Sequence, residues 1–138
     1  MASIQRVVVL LENDETTREL YRRELGRQYQ VIACSTEREA FEALRTVATD
    51  IVVLEPAALA DENWTFISTV HHLEQYANLP IIVCSILDAR RRGLETGADV
   101  YLVKPVTPAA LAATLAAVLP FGPGPAAIAS DATPSARE

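Results

Sequence analysis

Short runs of apolar, mostly β-branched residues alternate along the chain with stretches whose apolar positions recur every three or four residues. The runs fall at Val7–Leu11, 31–34, Ile51–Leu54, 81–84 and Val100–Val103. The first, third and fourth are apolar throughout, the pattern of parallel strands covered on both faces. The second follows the polar Gln28 and Gln30, which places it at a sheet edge. Between the runs the spacing predicts helices over 16–25, 36–47, 61–75, 87–96 and 107–119. Thr16 with Glu19, and Thr36 with Glu39, read as capping boxes, and Gly26 and Gly97 as stop signals. Trp64, Phe66, Ile67, Val70 and Leu73 carry the third helix. Thr107 followed by Pro108 is a strong helix start.

Five strand–helix units in alternation imply an α/β fold: a doubly wound, five-stranded parallel sheet with right-handed crossovers. The chain has 138 residues, half of them hydrophobic, which suits one domain with a core that needs no disulfides. That domain is expected over 1–119. From residue 120 the sequence becomes "PFGPGPAAIASDATPSARE", with little to bury, and is expected to be a disordered tail.

Net charge is −6, which argues against sequence-independent binding to a nucleic-acid backbone. The clusters Arg22-Arg23 and Arg90-Arg91-Arg92 have acidic neighbours and read as solvated helix faces. Cys34 and Cys84 are fifty positions apart, match no metal or redox spacing, and each ends an apolar run; buried free thiols in a reducing cytoplasm are the expectation. No stretch resembles a signal peptide, and no apolar run approaches the ~20 residues of a membrane span. His71 and His72 are adjacent on a helix, point in different directions and read as helix-face residues.

Open α/β sheets bind ligands beyond the carboxyl ends of their strands. At those ends stand Glu12, Asn13 and Asp14, then Glu55, then Ser85, then Lys104 with Pro105. A carboxylate at the mouth of a buried strand, as in "DIVVLEPAA", is either a reacting group, a fixed charge, or an ordinary polar end. Lys104 is the one lysine among twelve basic residues. A slender ammonium fits a small oxyanion pocket better than a forked guanidinium. No nucleophile–base pair appears at these ends, so independent enzymatic turnover is not expected.

The stretches "VVVLLENDETTREL", "DIVVLEP", "PIIVCS" and "GADVYLVKP" together resemble the receiver domain of bacterial response regulators, over roughly residues 4–119. The resemblance implies a flavodoxin-like sheet of order 2-1-3-4-5. It implies a phosphoacceptor position at Glu55, a Mg²⁺-binding acidic pair at Glu12 and Asn13 with Glu55 as third ligand, and a phosphoryl-binding hydroxyl at Ser85 and lysine at Lys104. It also implies a switching aromatic at Tyr101 and a cis Lys104-Pro105 bond. The chain departs from the family where Asn13 replaces an acid, Glu55 the reacting Asp, Leu59 a Pro and Asn63 a Gly; the segment from Ser85 to Gly97 is also short by roughly one helical turn.

These departures reduce the demand for a divalent ion, and Asp14 leaves the strand in another direction. Glu55 carries its carboxylate one methylene further out, where in-line transfer suffers from a misplacement of ~1 Å. A fixed pair of Glu55 with Lys104 is the expectation. The resemblance then implies a stand-alone, atypical receiver in two-component or phosphorelay signalling, phosphorylation-independent, with Mg²⁺ weakly bound or absent. It would act in the cytoplasm through protein contacts with a histidine kinase or an output protein, with neither nucleic acid nor membrane. The alternatives are a working phosphoacceptor using Mg²⁺, a small-ligand-binding flavodoxin-like module, or an adaptor with an inert pocket. No charged residue occurs from Pro105 to Ser130, a stretch that includes the last helix, "PAALAATLAAVL", whose Leu and Val are expected on more than one side, as a homodimer or partner face.

Overall fold

The computed structural model describes residues 5–60 and 64–119. The tail expected from residue 120, and Asn63, lie outside the described residues. The strands are β1 (Val7–Leu11), β2 (Gln30–Cys34), β3 (Ile51–Leu54), β4 (Ile81–Ser85) and β5 (Val100–Val103). The helices are α1 (Glu15–Leu25), α2 (Glu37–Thr46), α3 (Thr65–His71), α4 (Arg90–Glu95) and α5 (Pro108–Val118), with 3₁₀ turns at Pro56–Ala58 and Glu74–Tyr76. All strand pairs are parallel and the sheet order is β2-β1-β3-β4-β5, with β2 at an edge as expected.

Successive residues of a strand face opposite sides, so each central strand feeds two cores. Val9, Leu11, Val52 and Leu54 pack with Leu44 of α2 and Phe66 of α3. Val8, Leu10, Ile51 and Val53 pack with Leu25 of α1 and Leu111 of α5. Each fully buried Val, Leu or Ile contributes roughly 1.5–3 kcal/mol, so the apolar runs hold the sheet without disulfides. Cys34 and Cys84 are buried free thiols within these two cores. Burial pushes the Cys34 thiol up to about 11 and raises that of Cys84, so both behave as packing groups rather than nucleophiles.

At the amino end of the sheet one arrangement occurs twice. Asp50 donates its backbone N–H to Val7 O, and its carboxylate accepts the Val7 N–H at 2.7 Å. Asp99 does the same with Ile81, at 2.8 and 2.9 Å. Each aspartate thus satisfies the first N–H of a neighbouring strand.

Several helix boundaries differ from the expected ones. The cap of α1 is Asp14, whose carboxylate accepts from Thr17 N at 2.9 Å, so the Thr16–Glu19 box is not the start. Thr36 caps α2 as expected, but Glu39 reaches back to Ser35 N rather than to the cap residue. Of the helix expected over 61–75, the described residues from 64 on form α3 and a 3₁₀ turn, and the Tyr76 hydroxyl that closes the turn is drawn inward to donate to Leu44 O and accept from Thr49 N. The α4 start is delayed to Arg90 by Tyr101, as described below. In α5, Thr107 caps as expected, but Leu111, Leu115 and Leu119 all lie on the buried side and the exposed positions are alanines. The expectation of large apolar residues on more than one side is therefore corrected: the four-residue spacing stacks the leucines on one face.

Candidate functional site

The carboxyl ends of β1, β3, β4 and β5 bring Glu12, Glu55, Ser85 and Lys104 together. Parallel strands in register deliver residues from distant parts of the chain to one edge. Glu55 N donates to Leu11 O, and Lys104 N donates to Ser85 O at 2.7 Å, so each residue is fixed by its neighbour strand. The Lys104-Pro105 bond is cis.

Lys104 lies between two buried carboxylates. Its Nζ is 2.7 Å from Glu12 Oε1 and 3.0 Å from Glu55 Oε1. Glu12 is 2 % exposed and Glu55 5 %. The remaining oxygens are also engaged: Glu12 Oε2 accepts from Asp14 N at 3.0 Å, and Glu55 Oε2 accepts from Ala57 N at 3.1 Å, capping the first 3₁₀ turn. Burial alone would lower the Lys104 pKa; the hydrogen bonds and negative charges of both glutamates outweigh it and the net direction is upward. The expected Glu55–Lys104 pair is present, and Glu12 is its third member.

The same geometry tests the site against Mg²⁺. A magnesium ion takes about six hard oxygen ligands in near-octahedral array. Here both inner oxygens face an ammonium and both outer ones face backbone N–H groups. Asn13 is exposed, and the Asp14 carboxylate is held by Thr17, whose hydroxyl and backbone N–H keep its pKa low. Among the described residues no group of three or more His, Cys, Asp or Glu is placed to hold a metal. As arranged, these residues do not fit the ion.

Ser85 is 2 % exposed, and its Oγ accepts from Leu87 N at 3.1 Å. Tyr101 is turned inward. Its hydroxyl donates to Leu87 O at 2.6 Å and accepts from Ala89 N at 3.2 Å. Those backbone groups are thereby unavailable to a helix, which is why α4 starts at Arg90. The Tyr101 ring stacks on Trp64, with centroids 6.2 Å apart and planes 14° from parallel. A Cβ at Gly93 would fall 2.5 Å from the Tyr101 ring, so only glycine lets α4 approach this closely. Sequence reasoning passed over Gly93, whose single sign was a glycine inside a predicted helix, and read Trp64 only as part of the third helix, whereas it stands just before α3 with a left-handed φ of 56° and packs on Tyr101. His71 and His72 point away, their rings bonded to Leu79 O and Ser68 O.

Glu12, Glu55 and Lys104 thus meet at the carboxyl edge of a sheet of order 2-1-3-4-5, and the comparisons find proteins of the same fold. Chemotaxis response regulator CheY4 of Vibrio cholerae superposes with a TM-score of 0.73 at 23 % identity, covering 80 % of this chain and 95 % of its own. The non-phosphorylated HemR receiver domain from Leptospira biflexa matches at 25 % identity and a TM-score of 0.64, over 73 % of this chain and 83 % of its own. In sequence, the chain is similar to the transcriptional regulatory protein AfsQ1 of Streptomyces coelicolor, 31 % identical over 122 residues, 83 % of this chain and 52 % of that protein. It is also similar to the transcriptional regulatory protein GltR of Pseudomonas aeruginosa, 28 % identical over 123 residues, 86 % of this chain and 51 % of that protein. The chain spans about half the length of these curated relatives. No family model matches it. The flavodoxin-like, CheY-type fold is established, and the likenesses in sequence and structure support a response-regulator receiver domain as its class.

Proposed function

We propose that this chain is an atypical receiver module of two-component or phosphorelay signalling, held in one state by Glu55 and Lys104 and read by partners through protein contacts. Phosphotransfer to Glu55 is weak or absent, and Mg²⁺ is bound weakly or not at all. The observation that carries the reading is the Lys104 ammonium bridging Glu12 and Glu55 while both outer carboxylate oxygens are capped by backbone N–H groups. A carboxylate with both oxygens held by partners is poorly placed to attack a phosphoryl donor in line. Such a module is not an enzyme, works in the cytoplasm, and needs neither nucleic acid nor a membrane. Among the described residues no helix is long and apolar enough to cross a bilayer. Its partners are a histidine kinase or an output protein, and the alanine face of α5 is the surface through which it would pair with a second copy.

Intact-mass spectrometry after incubation with acetyl phosphate and Mg²⁺ tests this, with the Glu55→Asp variant alongside. The native chain should stay unmodified while the variant gains a phosphoryl adduct. An adduct on the native chain would make it a working phosphoacceptor and end the proposal. Labelling of neither would place the lost chemistry in Asn13 or the short segment before Gly97 as well.

A further inference from the structure

The turn that carries Lys104 has little packing to hold it. Lys104 and Val106 are half-buried, and Pro105 and Thr107 are exposed. Yet the ammonium stands 2.7 and 3.0 Å from two carboxylates carried by other strands. Such contacts are lost over less than an ångström, so the turn itself must be fixed. Its near side is tied by Lys104 N to Ser85 O. Its far side is tied by Tyr21, whose hydroxyl donates to Val106 O at 2.7 Å across 85 positions of sequence.

Tyr21 is 3 % exposed and lies on α1, the helix that also fixes Glu12. Arg18 of that helix donates to Glu12 O at 2.9 Å, and Asp14 N at its cap donates to Glu12 Oε2. One helix therefore clamps Glu12 at its start and the Lys104 turn near its middle, and so sets both partners of the shortest ion pair in the cluster. The Tyr21 oxygen also lies 3.9 Å from Cys84 Sγ, a weak contact beside the bond to Val106. Burial raises the Tyr21 pKa, so the hydroxyl keeps the proton it donates.

We propose that Tyr21 is the positioning residue of the charge cluster: by holding Val106 O to α1, its hydroxyl keeps Lys104 between Glu12 and Glu55. This role rests on the reading of that bridge as the lock of the module, and adds the residue that sets how firmly the lock is closed.

Lys104 is the chain's one lysine, so a full chain labelled with ¹⁵N only at lysine gives a single ammonium signal. Its protons exchange with water when the ammonium leaves both carboxylates, and the exchange rate measures how often the bridge opens. Slow exchange is expected in the native chain and fast exchange in Glu55→Gln. Tyr21→Phe keeps the ring, should still melt cooperatively, and should exchange about fivefold faster than native, the worth of one ordinary hydrogen bond. Tyr76→Phe is the control. It removes a buried hydroxyl bonded to Leu44 O on the other face of the sheet, and should leave the rate unchanged. Urea unfolding supplies a second measure: the losses in Tyr21→Phe and Lys104→Met should fall short of adding, because both act on one bridge. An unchanged rate in Tyr21→Phe, an equal rise in Tyr76→Phe, or additive losses would overturn the role of Tyr21 and leave the bridge standing. Native exchange as fast as that of Glu55→Gln would overturn the role and the lock together.

Discussion

The two ends of the sheet use acidic residues in opposite ways. At the amino end, Asp50 and Asp99 stand before strands and accept the first N–H of a neighbouring strand. They complete a ladder, and Asp50 keeps a third of its side chain exposed. At the carboxyl end, Glu12 and Glu55 stand after strands, are almost fully buried, and share one ammonium. An acid at the amino end meets peptide N–H groups that need an acceptor. At the carboxyl end the strand carbonyls already serve as acceptors, so a buried carboxylate must find a cation or pay a desolvation penalty. The first arrangement is structural; the second holds uncompensated charge, and chemistry belongs there.

Lys104→Met should separate the ends most sharply. It leaves two buried carboxylates without their cation, and a loss of about 3–5 kcal/mol is expected in urea unfolding. The Lys104 pKa is raised, so its contribution is complete below its ordinary value of 10.5 and disappears as pH climbs through the higher folded value. Tyr21, whose hydroxyl is also raised, chiefly by burial, adds an alkaline loss of the same sign. The native chain should therefore keep its stability well past neutrality and lose it in strong alkali, and Lys104→Met should lose the lysine share of that decline. An unchanged alkaline profile in the variant would show that the bridge contributes nothing.

Substitutions at the amino end should cost less. Asp99→Ala leaves the Ile81 N–H unsatisfied, at roughly 1–3 kcal/mol. Asp50→Ala should cost more than Asp99→Ala, because it also removes the carboxylate 3.5 Å from Arg6, whose Nε and one terminal nitrogen are already buried without a partner. Equal losses would mean that the Arg6 contact is negligible. Thr107→Ala should be the mildest. It stands at the carboxyl end but outside the charged cluster, and removing its bond to Ala110 N should cost about 1 kcal/mol. A loss as large as that of Lys104→Met would show that location rather than charge sets the scale.

Much of the fold was legible in the sequence. The five apolar runs match the strands to within a residue, since a strand buried on both faces leaves an unbroken apolar signature. Helix starts were less secure. Asp14 and Thr16 are two residues apart and both good caps, and the choice between them depends on how the chain leaves β1. The expected pair of Glu55 and Lys104 formed, whereas Glu12's place in it was implied only as a metal ligand.

What the sequence determined by itself is the alternation of strands and helices and the set of residue types that reach the carboxyl edge. These are local properties, set by side-chain periodicity and turn chemistry. Tertiary structure alone decided that one ammonium serves two glutamates, that Tyr101 points inward and shortens α4, and that the α5 leucines share one face. Each depends on distances between segments far apart in the chain, and hydrogen bonds and ion pairs are made or lost over less than an ångström.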